Sequence, residues 1–238
     1  MGTEPVAVIT GASQGLGLAL ADALAERHWR LIIDGRDDAR LQAAASHLRG
    51  RGATAVVAIA GDVSDAAHRD ALASAARAAG TALDLVVNNA STLGATPLPS
   101  LRTYPLDELA RAFAVNAIAP VALLQQLLPL AARGAAVINI TSDAAVEGYE
   151  GWGGYGASKA ALEQLSRVLA AEEPDVRVYW VDPGDLRTQM HQDAFPGEDI
   201  SDRPPPSVAV PGLLALVDGT RPSGRYRAQH VLDDAAVA

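Results

Sequence analysis

The stretch VAVITGASQGLGLALADAL, Val6 to Leu24, changes character twice within nineteen residues. VAVIT (6–10) is a continuous apolar run with the length of a buried strand. TGASQGLG, Thr10 to Gly17, is a turn with three glycines spaced G-x-x-x-G-x-G. In LALADALAERH (18–28) apolar residues recur at helical spacing. A glycine turn between a strand and a helix lets the backbone approach a ligand closely. It also aims the first N–H groups of the helix at an anion such as a pyrophosphate.

The same alternation runs outward along the chain. Further short apolar runs are RLIID (30–34), TAVVAI (54–59), LDLVV (83–87), AAVINI (135–140) and VRVYWV (176–181). Most are apolar throughout rather than alternating, as strands covered on both faces are. Helical patterns such as ARLQAAASHLRG (39–50), with Arg49-Gly50 as its stop signal, and AAHRDALASAARAAG (66–80) separate them. Repeated strand–helix–strand units imply a parallel sheet with helices on both faces. The tail from Gly224 (GRYRAQHV) adds a final strand, and the last residues are expected to fray. No shift in composition divides residues 1–238, so one domain is expected. The proline-rich SDRPPPSVAVPG (201–212) reads as a surface loop entering a short helix, placed to act as a lid over the carboxyl ends of the strands.

Composition narrows the function. Hydrophobic residues make up 49% of 238, enough for a large core, and the formal net charge of −9 opposes nucleic-acid and anionic-membrane binding. There is no cysteine, hence no thiolate chemistry or sulfur-bound zinc. His28, His47, His68, His191 and His230 show no metal-binding spacing and read as surface or loop residues. No segment reaches about 18 uninterrupted apolar residues, and VAVIT is too short for a leader. A cytoplasmic protein without a metal is expected.

A second constellation lies in GYGASKAAL (154–162), where Tyr155 and Lys159 stand one helical turn apart on a shared face. With TGASQGLG, it resembles the short-chain dehydrogenase/reductase family over nearly the whole chain. The resemblance implies a three-layer α/β/α Rossmann fold with a doubly wound, mostly parallel seven-stranded sheet. It assigns Gly11, Ser13, Gln14, Gly15, Leu16 and Gly17 to the cofactor turn, and Asp62-Val63 to an adenine contact. Asn88-Asn89-Ala90 matches the family's N-N-A-G motif, with Asn89 and Ala90 near the cofactor. Pro183, Gly184 and Thr188 match the segment facing the nicotinamide. Asn116, Ser142, Tyr155 and Lys159 match the catalytic tetrad, and Tyr155 and Lys159 also contact cofactor. Ser91 departs from the pattern, since glycine is usual there; a mild change at a sheet-supporting turn is expected.

Family members that use NAD place an acid eighteen residues after the last turn glycine. Here that position is Gly35, followed by Arg36. Arginine suits a 2′-phosphate that a carboxylate would repel, so NADP(H) is expected over NAD(H). Asp34 is the competing reading, able to reach the ribose if the strand ends one residue early.

A free phenol has a pKa of about 10. An ammonium about 4 Å away contributes roughly 4 kcal/mol at an effective dielectric near 20, enough to bring Tyr155 toward neutrality. Small neighbours Gly154, Gly156, Ala157 and Ala160 leave room for cofactor and substrate. Ser142, at a strand's carboxyl end, can bond the substrate oxygen. Pro120 cannot donate to the carbonyl of Asn116, which frees that oxygen to anchor a proton-relaying water; the alternative is a simple packing kink.

The expected activity is NADPH-dependent reduction of a ketone or aldehyde, reversible as an alcohol dehydrogenase. The alternatives are an NAD-dependent dehydrogenase of a hydroxylated substrate and a non-catalytic dinucleotide-binding regulator. The pocket is expected between segments 91–104, 143–153 and 185–206. Trp152, Met190 and Phe195 there suit an apolar substrate, and Glu147, Glu150, Arg187 and His191 suit polar groups. Family members commonly pair the helices corresponding to 105–131 and 154–172, so a homodimer or homotetramer is expected.

Overall fold

A computed structural model describes residues 4–233; the expected fraying falls on 234–238, outside the described residues. The apolar runs form β1 (Val6–Ile9), β2 (Arg30–Gly35), β3 (Ala55–Ala60), β4 (Leu83–Asn88), β5 (Ala131–Ile140) and β6 (Arg177–Asp182), and the tail supplies β7 (Gly224–Arg227). Their order is β3-β2-β1-β4-β5-β6-β7, and every neighbouring pair is parallel, β7 included. The helices are α1 (Gly15–Ala25), α2 (Asp38–Arg51), α3 (Ala66–Ala78), α4 (Leu106–Phe113), α5 (Ala119–Leu127), α6 (Gly153–Glu172), α7 (Gln189–Ala194) and α8 (Val210–Asp218).

Period-2 geometry divides each strand between two cores. Val6, Val8, Ile32, Val86 and Val137 pack with Leu72 of α3 and Leu123 and Leu127 of α5. Ala7, Ile9, Leu31, Ile33, Leu85 and Val87 pack with Leu20 and Leu24 of α1 and Leu213 and Leu216 of α8. Both faces are therefore apolar, which is why the runs lack alternation. Each aliphatic side chain so buried contributes about 1.5–3 kcal/mol.

Helix ends follow side-chain chemistry. Asp37 and Asp65 cap α2 and α3 by accepting from the N–H groups of Arg40 and Ala67. The expected stop at Gly50 is wrong: α2 runs on to Arg51, and Gly52 ends it with a left-handed φ of 114°. β5 starts four residues before AAVINI because Ala131 already pairs with Leu83, ahead of a register shift. The stretch Leu106–Leu130 is long and apolar enough to cross a membrane by composition. It contains Pro120 and a π turn at Ala114–Ile118, and it packs Leu123, Leu124 and Leu127 into the core.

After β3 the chain crosses back to the far side of β1, so strand order reverses between β1 and β4. In open sheets of this kind the crevice beyond the carboxyl ends at the reversal receives ligands.

Candidate active site

A cleft of about 940 Å³ lies there, lined from the ends of all of β1 to β6. Its floor is the glycine turn. Gly11 has φ +66°, and a Cβ on it would stand 2.9 Å from the Cα of Ala90. The Thr10 hydroxyl accepts from the N–H groups of Asn89 and Ala90, both at 3.0 Å. Asn89 Nδ2 donates to the Thr10 and Gly11 carbonyls at 2.9 and 3.0 Å. At the start of α1, Gln14 makes no side-chain cap and the first turn carries no acid. The free N–H groups and Cβ-free backbone fit a dinucleotide pyrophosphate.

Asp34 is not available to a ribose. Gly11 N–H donates to its Oδ1 at 2.6 Å, and His68 Nε2 lies 3.0 Å from its Oδ2. Both side chains are buried, so the reading of Asp34 as a ribose contact and of His68 as a surface residue are corrected together. The pair braces the turn from beneath. Gly35 is closely shielded as well: a Cβ there would stand 2.8 Å from Ser13 Oγ, leaving no space for an acid. Arg36 beside it is exposed and lines the cleft. Burial raises the Asp62 carboxyl, but the Ser64 hydroxyl and N–H, with help from Arg36, hold it below the ordinary carboxylate range. Arg40, which sequence reasoning passed over, donates to the Gln14 side chain.

At the other end of the cleft, α6 turns Tyr155, Lys159 and Glu163 toward the sheet, one turn apart and all buried. The glycines around them serve the protein, not the ligand. A Cβ on Gly156 would lie 2.4 Å from the Ala144 carbonyl oxygen, and one on Gly154 would strike Tyr104. They let α6 press against residues 143–145 and Tyr104, which corrects the expectation of space for substrate.

The expected lysine effect on Tyr155 is also corrected. Lys159 Nζ donates to the Ile140 carbonyl at 2.8 Å and lies 5.6 Å from the Tyr155 ring centre. Burial pushes the phenol well above its ordinary value. The Ser142 hydroxyl opposes this, Asp182 and Asp143 add to it, and the Ser91 hydroxyl opposes it. Burial likewise lowers Lys159 to about 7. Desolvation penalises both charged forms, so in this arrangement the phenol keeps its proton at neutral pH.

Ser91 is thus more than a mild change. Its hydroxyl donates to Asn116 Oδ1 at 3.0 Å. Asn116 sits in the π turn, fully buried behind the cleft. Its Oδ1 also accepts from Thr92 N–H at 2.9 Å, and its Nδ2 donates to the Thr92 carbonyl and to Ser158 Oγ at 2.8 and 2.9 Å. Asn116 therefore ties the segment after β4 to α6.

Behind Ser142 lies a network without a sequence signal. Arg225 of β7 donates from Nε to Glu163 at 2.9 Å and from Nη2 to the Ser142 carbonyl at 3.1 Å, with Asp182 3.6 Å away. Thr141 Oγ1 donates to Glu163 at 2.9 Å, and Gly184 N–H donates to Asp182 at 2.9 Å. One guanidinium joins the serine segment, the tyrosine helix and the Pro183-Gly184 turn.

The outer wall is aromatic. The Trp152 ring centre is 5.6 Å from that of Tyr155 and 5.9 Å from that of Phe195, and His191 is 4.9 Å from Phe195. Met190, Arg187 and His191 line the cleft with them, whereas Glu147 and Glu150 are exposed and outside its lining.

Most expected site residues meet here. Gly11, Ser13, Gln14, Gly15 and Leu16 line one end, followed by Arg36, Asp62, Val63, Asn89 and Ala90. Ser142, Tyr155 and Lys159 line the other, facing Pro183, Gly184 and Thr188. Gly17 and Asn116 are outside the lining: a Cβ on Gly17 would stand 2.5 Å from Asn89 Nδ2, so its place is structural. Among the described residues no group of three or more histidines and acids could hold a metal ion.

A family model described as short chain dehydrogenase matches residues 5–199. The chain is 36% identical over 199 residues to benzil reductase ((S)-benzoin forming) of Saccharomyces cerevisiae, covering 79% of this chain and 74% of that one. It is 35% identical over 199 residues to sepiapterin reductase of Mus musculus, covering 79% and 76%. Its fold superposes with a TM-score of 0.89 on a short chain dehydrogenase from Shigella flexneri 2a complexed with NADP, at 29% identity and covering 95% of this chain and 98% of that one.

Proposed function

The chain belongs to the short-chain dehydrogenase/reductase family, and from that premise we propose that it reduces a ketone or aldehyde to an alcohol with NADPH. The observation that carries this reading is Ser142, Tyr155 and Lys159 on the same cleft as an uncapped glycine turn. Carbonyl reduction needs a proton donor at the oxygen, and the Tyr155 hydroxyl on this cleft is one. Alcohol oxidation needs the phenolate and is favoured only as pH rises.

NADPH, when bound, supplies a hydride to the carbonyl carbon. Tyr155 gives its O–H proton to the carbonyl oxygen, and Ser142 orients that oxygen and shares its developing charge. Lys159, held by the Ile140 carbonyl, lies 5.6 Å from the centre of the phenol ring. Asn116 holds α6 in register with Ser91 and Thr92. The proton returns to Tyr155 from solvent, with Lys159 and the Asn116 region as the relay.

The preference for the 2′-phosphate rests on Arg36, on the absence of an acid at Gly35 and on the commitment of Asp34 to Gly11 and His68. The NADP bound by the Shigella flexneri relative agrees with it. The loop containing Pro205 and Pro206 lines the cleft and suits a lid. We place the protein in the cytoplasm as a homodimer or homotetramer, a reading supported by exposed Leu106, Ile118, Leu165 and Val168 and decided by light scattering. For the cofactor, NADPH and NADH affinities are compared before and after Arg36→Ala. The NADPH preference is expected to fall at least tenfold, and an unchanged ratio overturns the assignment.

A further inference from the structure

Asp143 follows Ser142 directly and lines the cleft, yet the chemistry above gives it no task. Its Oδ1 accepts from Ser142 Oγ at 2.9 Å and from Ala144 N–H at 2.8 Å. Its Oδ2 accepts from the Tyr149 hydroxyl at 3.0 Å. Asp143 thus accepts from three donors and donates to none. The proton that Ser142 must aim at a substrate oxygen is therefore aimed at Asp143.

That arrangement sets a condition on the substrate. A plain ketone can draw the Ser142 hydroxyl away only by costing Asp143 a charge-assisted hydrogen bond. A substrate with a donor on the carbon beside the carbonyl replaces the lost bond: its hydroxyl or ammonium goes to Asp143, and Ser142 turns to the carbonyl. A substrate with a carboxylate at that carbon meets like charge in a partly desolvated cleft. Asp182 and Asp185, also on the cleft, add to that field, and Lys159 and Arg187 on the same cleft oppose it. The aromatic wall of Trp152 and Phe195 receives the rest of the molecule.

We propose that Asp143 is a specificity-determining residue that selects aryl ketones bearing a hydroxyl or ammonium group next to the carbonyl and rejects the corresponding keto acids. The proposal rests on the reductase reading above, so its test has a binding arm independent of turnover. The probes are acetophenone, 2-hydroxyacetophenone and phenylglyoxylate for NADPH-dependent rates, and benzylammonium and benzoate for binding by quenching of intrinsic tryptophan fluorescence.

In the wild type, kcat/KM is expected to rank hydroxyketone above ketone above keto acid, each step at least tenfold, and benzylammonium to bind at least tenfold more tightly than benzoate. Asp143→Asn keeps an acceptor for Ala144 N–H; it is expected to shrink both rate gaps and the binding gap at least fivefold. Asp143→Glu is expected to restore part of each. Rate and binding ratios that are the same in wild type and Asp143→Asn overturn the proposal. Absence of any turnover by the wild type, with the binding ratio still shifted by Asp143→Asn, overturns the reductase reading and leaves the selectivity of Asp143 standing.

Discussion

Replacing Arg225 by methionine removes the guanidinium that joins three segments of the site while keeping most of the stem. Glu163 and Asp182 have side chains only 2% and 7% exposed, so their charges depend on partners within the protein. Glu163 retains the Thr141 hydroxyl and Arg167 at 3.3 Å; Asp182 retains Gly184 N–H and Arg227 at 3.9 Å. Breaking one partner from a buried pair costs about 3–5 kcal/mol, and these remaining contacts put the expected loss near the lower figure. For a chain of this size that corresponds to a fall in Tm of roughly 6–12 °C. The loss also reaches the chemistry: the charge of Asp182 raises the Tyr155 phenol, burial raises the Asp182 carboxyl itself, and Gly184 N–H and Arg225 only partly oppose that rise. At pH 9 Asp182 stays ionised, and without the cation its charge is left less compensated beside Tyr155, so the phenolate is harder to form. Alcohol oxidation at pH 9 is expected to fall up to about tenfold for each unit by which the phenol rises, whereas ketone reduction at pH 6 falls less. Arg225→Lys restores charge but not the forked geometry, so it is expected to recover oxidation more fully than Tm. A methionine variant with wild-type Tm and an unshifted oxidation profile refutes the reasoning.

Two further perturbations follow from buried geometry. Gly17→Ala places a Cβ 2.5 Å from Asn89 Nδ2 and 2.6 Å from the Gly11 carbonyl oxygen. The turn must shift, and the Kd for NADPH, read by fluorescence titration, is expected to rise at least tenfold, or about 1.4 kcal/mol. Lys159 is held near 7 by burial against an ordinary value of 10.5. Between those pH values the unfolded chain carries a proton that the folded chain lacks, so folding loses stability as pH falls from 10.5 to 7. Lys159→Met removes that cost. Its stability relative to wild type, from urea unfolding at pH 7, 8.5 and 10, is expected to increase as pH falls, by up to about 4 kcal/mol at pH 7.

Local chemistry made much of this legible. The apolar runs located all six leading strands because both faces of the sheet are covered, and the Tyr155–Lys159 spacing put both side chains on the cleft because a helix turn is four residues. What sequence could not show depends on approach across the fold. Asp34 and His68 are 34 residues apart, and Arg225 lies 62 residues from Glu163. Their pairing is set by strand order, which no local pattern encodes. The balance of charges around Tyr155 is hidden from sequence for a related reason: spacing gives proximity to Lys159, but only the packed structure gives the desolvation that opposes it. Gly50 reads as the stop for α2, but the left-handed backbone that ends the helix falls on Gly52.

The most direct measurement is the single-turnover rate of NADPH oxidation by a ketone at pH 7, in wild type and in Tyr155→Phe, with NADPH affinity determined for both. A general acid contributes typically 10²–10⁴-fold, so the rate is expected to drop at least a hundredfold while the Kd for NADPH changes by less than about threefold. A phenylalanine variant that retains most of the wild-type rate contradicts the assignment of the Tyr155 hydroxyl as the proton donor.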